Sequence, residues 1–152
     1  EEMMAYLIGA RDDLIIEVPI GEQTREFFNE KEKRHMVDVK GLFLAGLRLR
    51  TGCLLFTVLA AAVCIWQKRI KRFLKYFQYG IGVFFAAMIA LVLLMLTNFS
   101  KYFVQFHLIF LDNDDWILDA RTDLLVNIVP EGFFRDTAFW IAGVFIVGAC
   151  IV

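Results

Sequence analysis

The chain has 152 residues, 59% of them hydrophobic, and a net charge of −1; its mean hydropathy is +0.61. Ordinary soluble domains run at roughly 45–50% apolar, and here the apolar residues gather into long runs rather than spreading evenly. This excludes a typical soluble fold and points to a mainly α membrane protein, while the near-neutral charge gives no sign of nucleic-acid binding.

Residues 1–41 are polar, with ten acidic and six basic side chains. Glu1-Glu2-Met3-Met4 does not read as a signal peptide or an opening anchor, so further chain is expected upstream. Asp13 to Val18, before Pro19, reads as a short strand. A helix is expected from Asn29 to about Leu47, with Asn29 as N-cap and Glu32 completing a capping box. On it lies His35, with Asp38 three residues on, close enough on a helical surface to orient the imidazole.

The first apolar run, 42–66, is long enough to cross a bilayer. Arg48 and Arg50 would rise about 27 and 24 Å above Trp66, which is interfacial height, where arginine snorkels or meets an acid. Cys53, Cys64 and Cys150 all fall in apolar runs and read as small buried hydrophobes. Residues 67–78 form a connection whose Lys68, Arg69, Lys71, Arg72 and Lys75 face no acid, which marks it as cytoplasmic. A second span follows over 79–97. Both polar segments, 1–41 and 98–137, then belong on the opposite side with every acidic residue of the chain.

Asn98 to Leu111 reads as a helix. Phe99, Tyr102, Phe103, Phe106 and Phe110 fall within about 100° of its arc, an aromatic stripe with His107 at the edge. An amide and carboxylate cluster comes next: Asp112, Asn113, Asp114, Asp115, Trp116 and Asp119. Asp123 to Val129 fits a strand or a helix, and Pro130-Glu131-Gly132 a turn. The last run, 138–152, is apolar but short for a full crossing, so the chain is expected to continue beyond Val152.

The two histidines are the main candidates for chemistry. Ser100, the only serine, sits about 10.5 Å of helical rise from His107, too far for a nucleophile–base pair on one helix. A lipid hydrolase is disfavoured accordingly. His35, His107 and some of Asp112, Asp114, Asp115 and Asp119 offer a divalent-metal alternative, without a ligand spacing to support it. A non-catalytic protein binding lipid or lipoprotein is the other open reading.

His35-Met36-Val37-Asp38-Val39-Lys40, Phe106 to Asp119, and Pro130-Glu131-Gly132-Phe133-Phe134 resemble signature stretches of the bacterial lipoprotein intramolecular transacylases. One departure is Ala120, where that pattern has proline. The resemblance implies four transmembrane helices, three of them within this chain, with a small mixed extracellular cap at the outer face of the cell membrane. It implies an acyltransferase without cofactor or metal that acts on a diacylated lipoprotein. The sn-2 acyl chain would move to the α-amine of the N-terminal cysteine, giving a lyso-form product. His107 would serve as general base; His35 would polarise the ester carbonyl and protonate the departing oxygen, though these roles can be exchanged. Asp38 would orient His35. Asn113, Asp114 and Asp119 would orient His107 or shape the cap, while Tyr102, Phe106, Phe110 and Trp116 would confine the substrate.

Overall fold

The computed structural model describes residues 1–20 and 23–151. It divides into two compact units, Glu1–Leu49 with Gln105–Phe133, and Arg50–Val104 with Phe134–Val152. Helices dominate both: α1 Glu2–Leu7, α2 Glu30–Trp66, α3 Ile70–Thr97, α4 Phe99–Phe110, α5 Leu125–Ile128 and α6 Glu131–Ile151. Two strands, β1 Glu17–Ile20 and β2 Gln23–Glu26, pair antiparallel between α1 and α2, with Val18 opposite Arg25 and Pro19 opposite Thr24.

In the first unit the core is small. Tyr6, Leu14, Phe28, Met36 and Leu125 are buried together, with Met3, Leu7, Ile16, Phe27, Val39 and Leu118 against them. The strand lies later than the hydrophobic pattern suggests. Asp13 binds the Ile15 N–H and the Arg11 guanidinium with its own side chain, so this stretch forms a local turn instead of a ladder. Pro19 sits inside β1, which a two-stranded ribbon tolerates because one edge of each strand needs no donor.

The capping box opening α2 forms as expected. Asn29 Oδ1 accepts the Glu32 N–H at 3.0 Å, and Glu32 Oε2 accepts the Asn29 N–H at 2.7 Å. Helix α2 then continues unbroken to Trp66. The expected 67–78 connection contracts to Gln67–Arg69, because α3 starts at Ile70 and takes Lys71, Arg72 and Lys75 into its first turns. Arg69 N–H bonds Cys64 O at 2.7 Å and Lys68 N–H bonds Ile65 O at 2.9 Å. This is a Schellman stop, and it holds Lys68 at φ +57, a left-handed conformation usually given to glycine.

Helices α2 and α3 are long and apolar enough to cross a membrane, and none of either apolar window is buried within the protein. Phe56, Leu59, Val83 and Leu93 are exposed along them, as side chains facing hydrocarbon would be. Cys53 is exposed too and Cys64 partly so, which corrects the expectation that both are buried. The side chain of Cys150 lies outside the described residues.

Asn98 ends α3 with an extended backbone and caps α4, its Oδ1 accepting the Lys101 N–H at 3.0 Å. Residues 125–128 settle as the single turn α5. The expected turn at Pro130-Glu131-Gly132 is instead a helix start. Proline needs no N–H partner there, and its carbonyl accepts the Phe133 N–H at 2.9 Å. The apolar run 138–152 belongs to α6, except for Val152, which is outside the described residues.

Candidate active site: a buried histidine pair

Helix α2 presents His35 in its second turn, and α4 presents His107 in its last. Both belong to the first unit, and their rings meet with centroids 5.9 Å apart at an interplanar angle of 33°. Each residue is only 8% exposed. The Trp116 indole stacks on His107 at 4.9 Å and 26°, while the Phe106 ring meets it edge-on at 5.6 Å. His107 is thus walled by two aromatics and a second imidazole.

Burial is the chief force on His35. Desolvation pushes its pKa below the usual 6.5, the charge of His107 pushes the same way, and Asp38 and Asp115 oppose it. The ring is therefore neutral at pH 7. Among the described residues its buried Nδ1 has no hydrogen-bond partner, a cost of about 1–3 kcal/mol of a kind that folded proteins rarely carry.

Polar contacts hold the segment after α4 to α2. Lys31 Nζ donates to Ile117 O. Arg34 forks onto Asp115, Nε to Oδ2 at 2.8 Å and Nη2 to Oδ1 at 2.9 Å. Asn113 Nδ2 donates to Asp38 Oδ2 at 2.8 Å. Lys31, Arg34, His35 and Asp38 lie within about 100° of arc on α2, so one helix face carries both the histidine and its tethers. The Arg34 guanidinium holds the Asp115 carboxyl below the usual carboxylate range. Asp38 thus hydrogen-bonds Asn113 rather than His35, and acts on the imidazole only through space.

A second network, deeper in the unit, anchors residues 119–125. Glu32, 1% exposed, accepts the Leu125 N–H at 2.6 Å with the oxygen its capping role leaves over. Asp123, also buried, accepts Asn29 Nδ2 at 2.8 Å and the Asp119 N–H at 2.7 Å. Those donors, the backbone N–H first, hold its carboxyl below the ordinary value. Sequence reasoning saw Glu32 only as a capping partner and did not single out Asp123, Arg34 or Lys31. Their partners lie too far away in the chain for spacing to reveal.

The other expected site residues divide. Phe106 and Phe110 are exposed, with rings 4.8 Å apart. Asn113 and Trp116 are in the tethered segment beside the histidines. Asp119 pairs with Arg121, whose guanidinium depresses its carboxyl. Asp114 is exposed and uses its backbone carbonyl to receive the Ile117 N–H. Tyr102 belongs to the second unit, where Lys101 Nζ lies 5.8 Å from its ring centre. Among the described residues no three His, Cys, Asp or Glu side chains gather as metal ligands would.

What the arrangement can do is move a proton. A neutral, desolvated imidazole against a second one, roofed by an indole, suits general acid–base work on a group brought to it. The chain matches a family model described as "Lipoprotein intramolecular transacylase Lit" over residues 1–134. No curated protein and no solved structure matches it.

Proposed function

The chain belongs to the lipoprotein intramolecular transacylase family, and on that premise we propose that it moves the sn-2 acyl chain of a diacylglyceryl lipoprotein to the α-amine of the same molecule's N-terminal cysteine. Lipoprotein transacylation in general comes with the family, which is bacterial. The regiochemistry, the two-histidine mechanism and the placement at the outer face of the membrane are our reading. The observation that carries it is the meeting of His35 and His107, both buried, at 5.9 Å.

The mechanism needs no protein nucleophile, because the substrate amine attacks. His107 takes the amine proton as the nitrogen–carbonyl bond forms. A neutral His35 donates an N–H to the ester carbonyl oxygen, as an imidazole of lowered pKa is suited to do. When the carbonyl–glyceryl oxygen bond breaks, the proton held by His107 passes to that oxygen, so the transfer closes without an outside donor or acceptor. This shifts the protonation of the leaving oxygen from His35, where the sequence reading put it, to His107. Holding the two reacting groups of one flexible lipid together is the larger part of the task, and orientation can lower a barrier by as much as about 7–11 kcal/mol. Trp116 and Phe106 beside His107, and Phe110 beside Phe106, supply apolar walls for the acyl chains.

The charge pattern supports one topology. Residues 67–69 and the basic start of α3 face the cytoplasm, 42–66 and 79–97 cross the membrane, and the apolar part of α6 lies within it. Residues 1–41 and 98–137 form the extracellular cap. Mass spectrometry of a diacyl lipopeptide incubated with the purified protein tests the reaction. An acyl shift at constant mass is expected, and loss of a fatty acid would mean hydrolysis. His107→Ala and His35→Ala, each folded and membrane-inserted, are expected to lose on the order of 10²- to 10⁴-fold in rate. Full activity in either would remove that residue from the mechanism.

A further inference from the structure

Trp116 lies in a segment without helix or strand, yet its ring is set flat on His107. Local turns shape the backbone here, with the Asp114 carbonyl receiving the Ile117 N–H at 3.1 Å and the Trp116 carbonyl the Leu118 N–H at 3.0 Å, and two grips from outside the segment fix it against α2. The residue before it, Asp115, is gripped by the Arg34 fork, and the residue after it, Ile117, has its carbonyl bonded by Lys31. Both grips come from the α2 face that carries His35. The spacing between Arg34 and Lys31 on a rigid helix therefore dictates where the intervening indole can sit.

We propose that Arg34, acting through Asp115, is a positioning residue for the transfer: it fixes Trp116 against His107 and so sets the angle at which that imidazole meets the substrate. The proposal rests on the reading of His107 as the base. Three features favour it over a plain stability role. The Arg34 side chain is 61% exposed, so the ion pair stays hydrated and adds little to folding. The contact is a two-bond fork, which constrains direction more than it contributes energy. Burial of the unit is anchored elsewhere, by Glu32 and Asp123.

Misplacing a catalytic group by about 1 Å can cost on the order of 10²-fold. An indole that still rests on His107 but wanders should cost less. Arg34→Leu and Asp115→Leu are each expected to lower kcat about tenfold, with KM held within about twofold, in the full-length protein acting on a diacyl lipopeptide. Arg34→Lys, which keeps the charge but not the fork, should lie between. The exchange Arg34→Asp with Asp115→Arg should recover most of the loss. In a Trp116→Leu background, Arg34→Leu should cost no more than about twofold further, since its effect runs through the indole.

Wild-type kcat in both single variants, or full additivity of Arg34→Leu with Trp116→Leu, would overturn the proposal. His107→Ala separates its failure from that of the wider reading. If His107→Ala is inactive while Arg34→Leu is unimpaired, only the positioning role falls. If His107→Ala is fully active, the base assignment falls with it.

Discussion

Removing the Glu32 carboxylate should loosen residues 119–125 from the start of α2, leaving the Asn29–Asp123 bond as their tie. Glu32 is 1% exposed, and its two oxygens accept two backbone N–H groups, Asn29 at 2.7 Å and Leu125 at 2.6 Å. Glu32→Ala leaves both donors without their acceptor. Each such loss costs about 1–3 kcal/mol, so the local opening of this region should become easier by roughly 2–6 kcal/mol. Every 1.4 kcal/mol is about tenfold in an equilibrium, so amide exchange at Leu125 should accelerate by about 30-fold or more. Glu32→Gln keeps an oxygen for one donor and turns an amide NH2 toward the other, so its acceleration should be smaller. Glu30→Ala, on the same turn but exposed and paired with Lys33, should leave exchange at Leu125 within about threefold. Hydrogen exchange read by mass spectrometry on peptides spanning Leu125 makes the measurement. Exchange in Glu32→Ala within about threefold of wild type would refute the argument that this carboxylate ties the two segments together.

Acidification should weaken the fold through His35 before any carboxylate matters. Its folded pKa lies below 6.5, so the unfolded chain binds the proton more readily. Its contribution is then complete above about pH 6.5 and is lost as pH falls through the folded value. Thermal midpoints at about pH 7.5 and pH 5 should differ in the wild type and differ less in His35→Gln; equal slopes would contradict the burial argument. Asp115 and Asp123 sit below the ordinary 3.8, so what they add is present above that value and disappears only below it. Lys68→Gly should stabilise the α2–α3 turn by about 1 kcal/mol, because the left-handed backbone there strains any residue with a Cβ. An unchanged or lower unfolding midpoint would show the strain to be absent. Chelator treatment should leave transacylation intact, and loss of activity restored by added metal would reopen the metal alternative.

The features legible in the sequence are those whose causes are local. Asn29 and Asn98 announce helix starts because a cap needs only donors one turn away. The long apolar runs need no partner in order to be read as helices. Pro130 misled, since the same residue that ends one helix can open another, and nothing nearby discriminates between the two. His35 and His107 were each visible as candidates, but their meeting is tertiary. So is the Arg34–Asp115 fork, which joins residues 81 apart in the chain, and the Glu32–Leu125 bond, which joins residues 93 apart. Asp38 shows the limit of helical spacing as a guide. Three residues from His35 it is a neighbour, yet the nearby Asn113 amide offers a directed donor and takes the carboxylate.

The shape of the first unit bears on how such a site could work. Its apolar core is small, centred on Tyr6, Leu14, Phe28, Met36 and Leu125, while the segments around the histidines are held by Glu32, Asp123, Asp38 and Arg34. Hydrogen bonds and forks fix direction where apolar packing fixes only proximity, and a proton transfer depends on direction. Burial then does the electrical part. Desolvation opposes a proton on His35, and a proton on His107 opposes it further. In the proposed reaction, once His107 has taken the amine proton, His35 is kept neutral and able to hold the carbonyl oxygen. In that scheme the proton leaves His107 for the glyceryl oxygen that the breaking bond leaves behind, and the pairing that makes His35 costly to charge keeps it from passing to His35 instead.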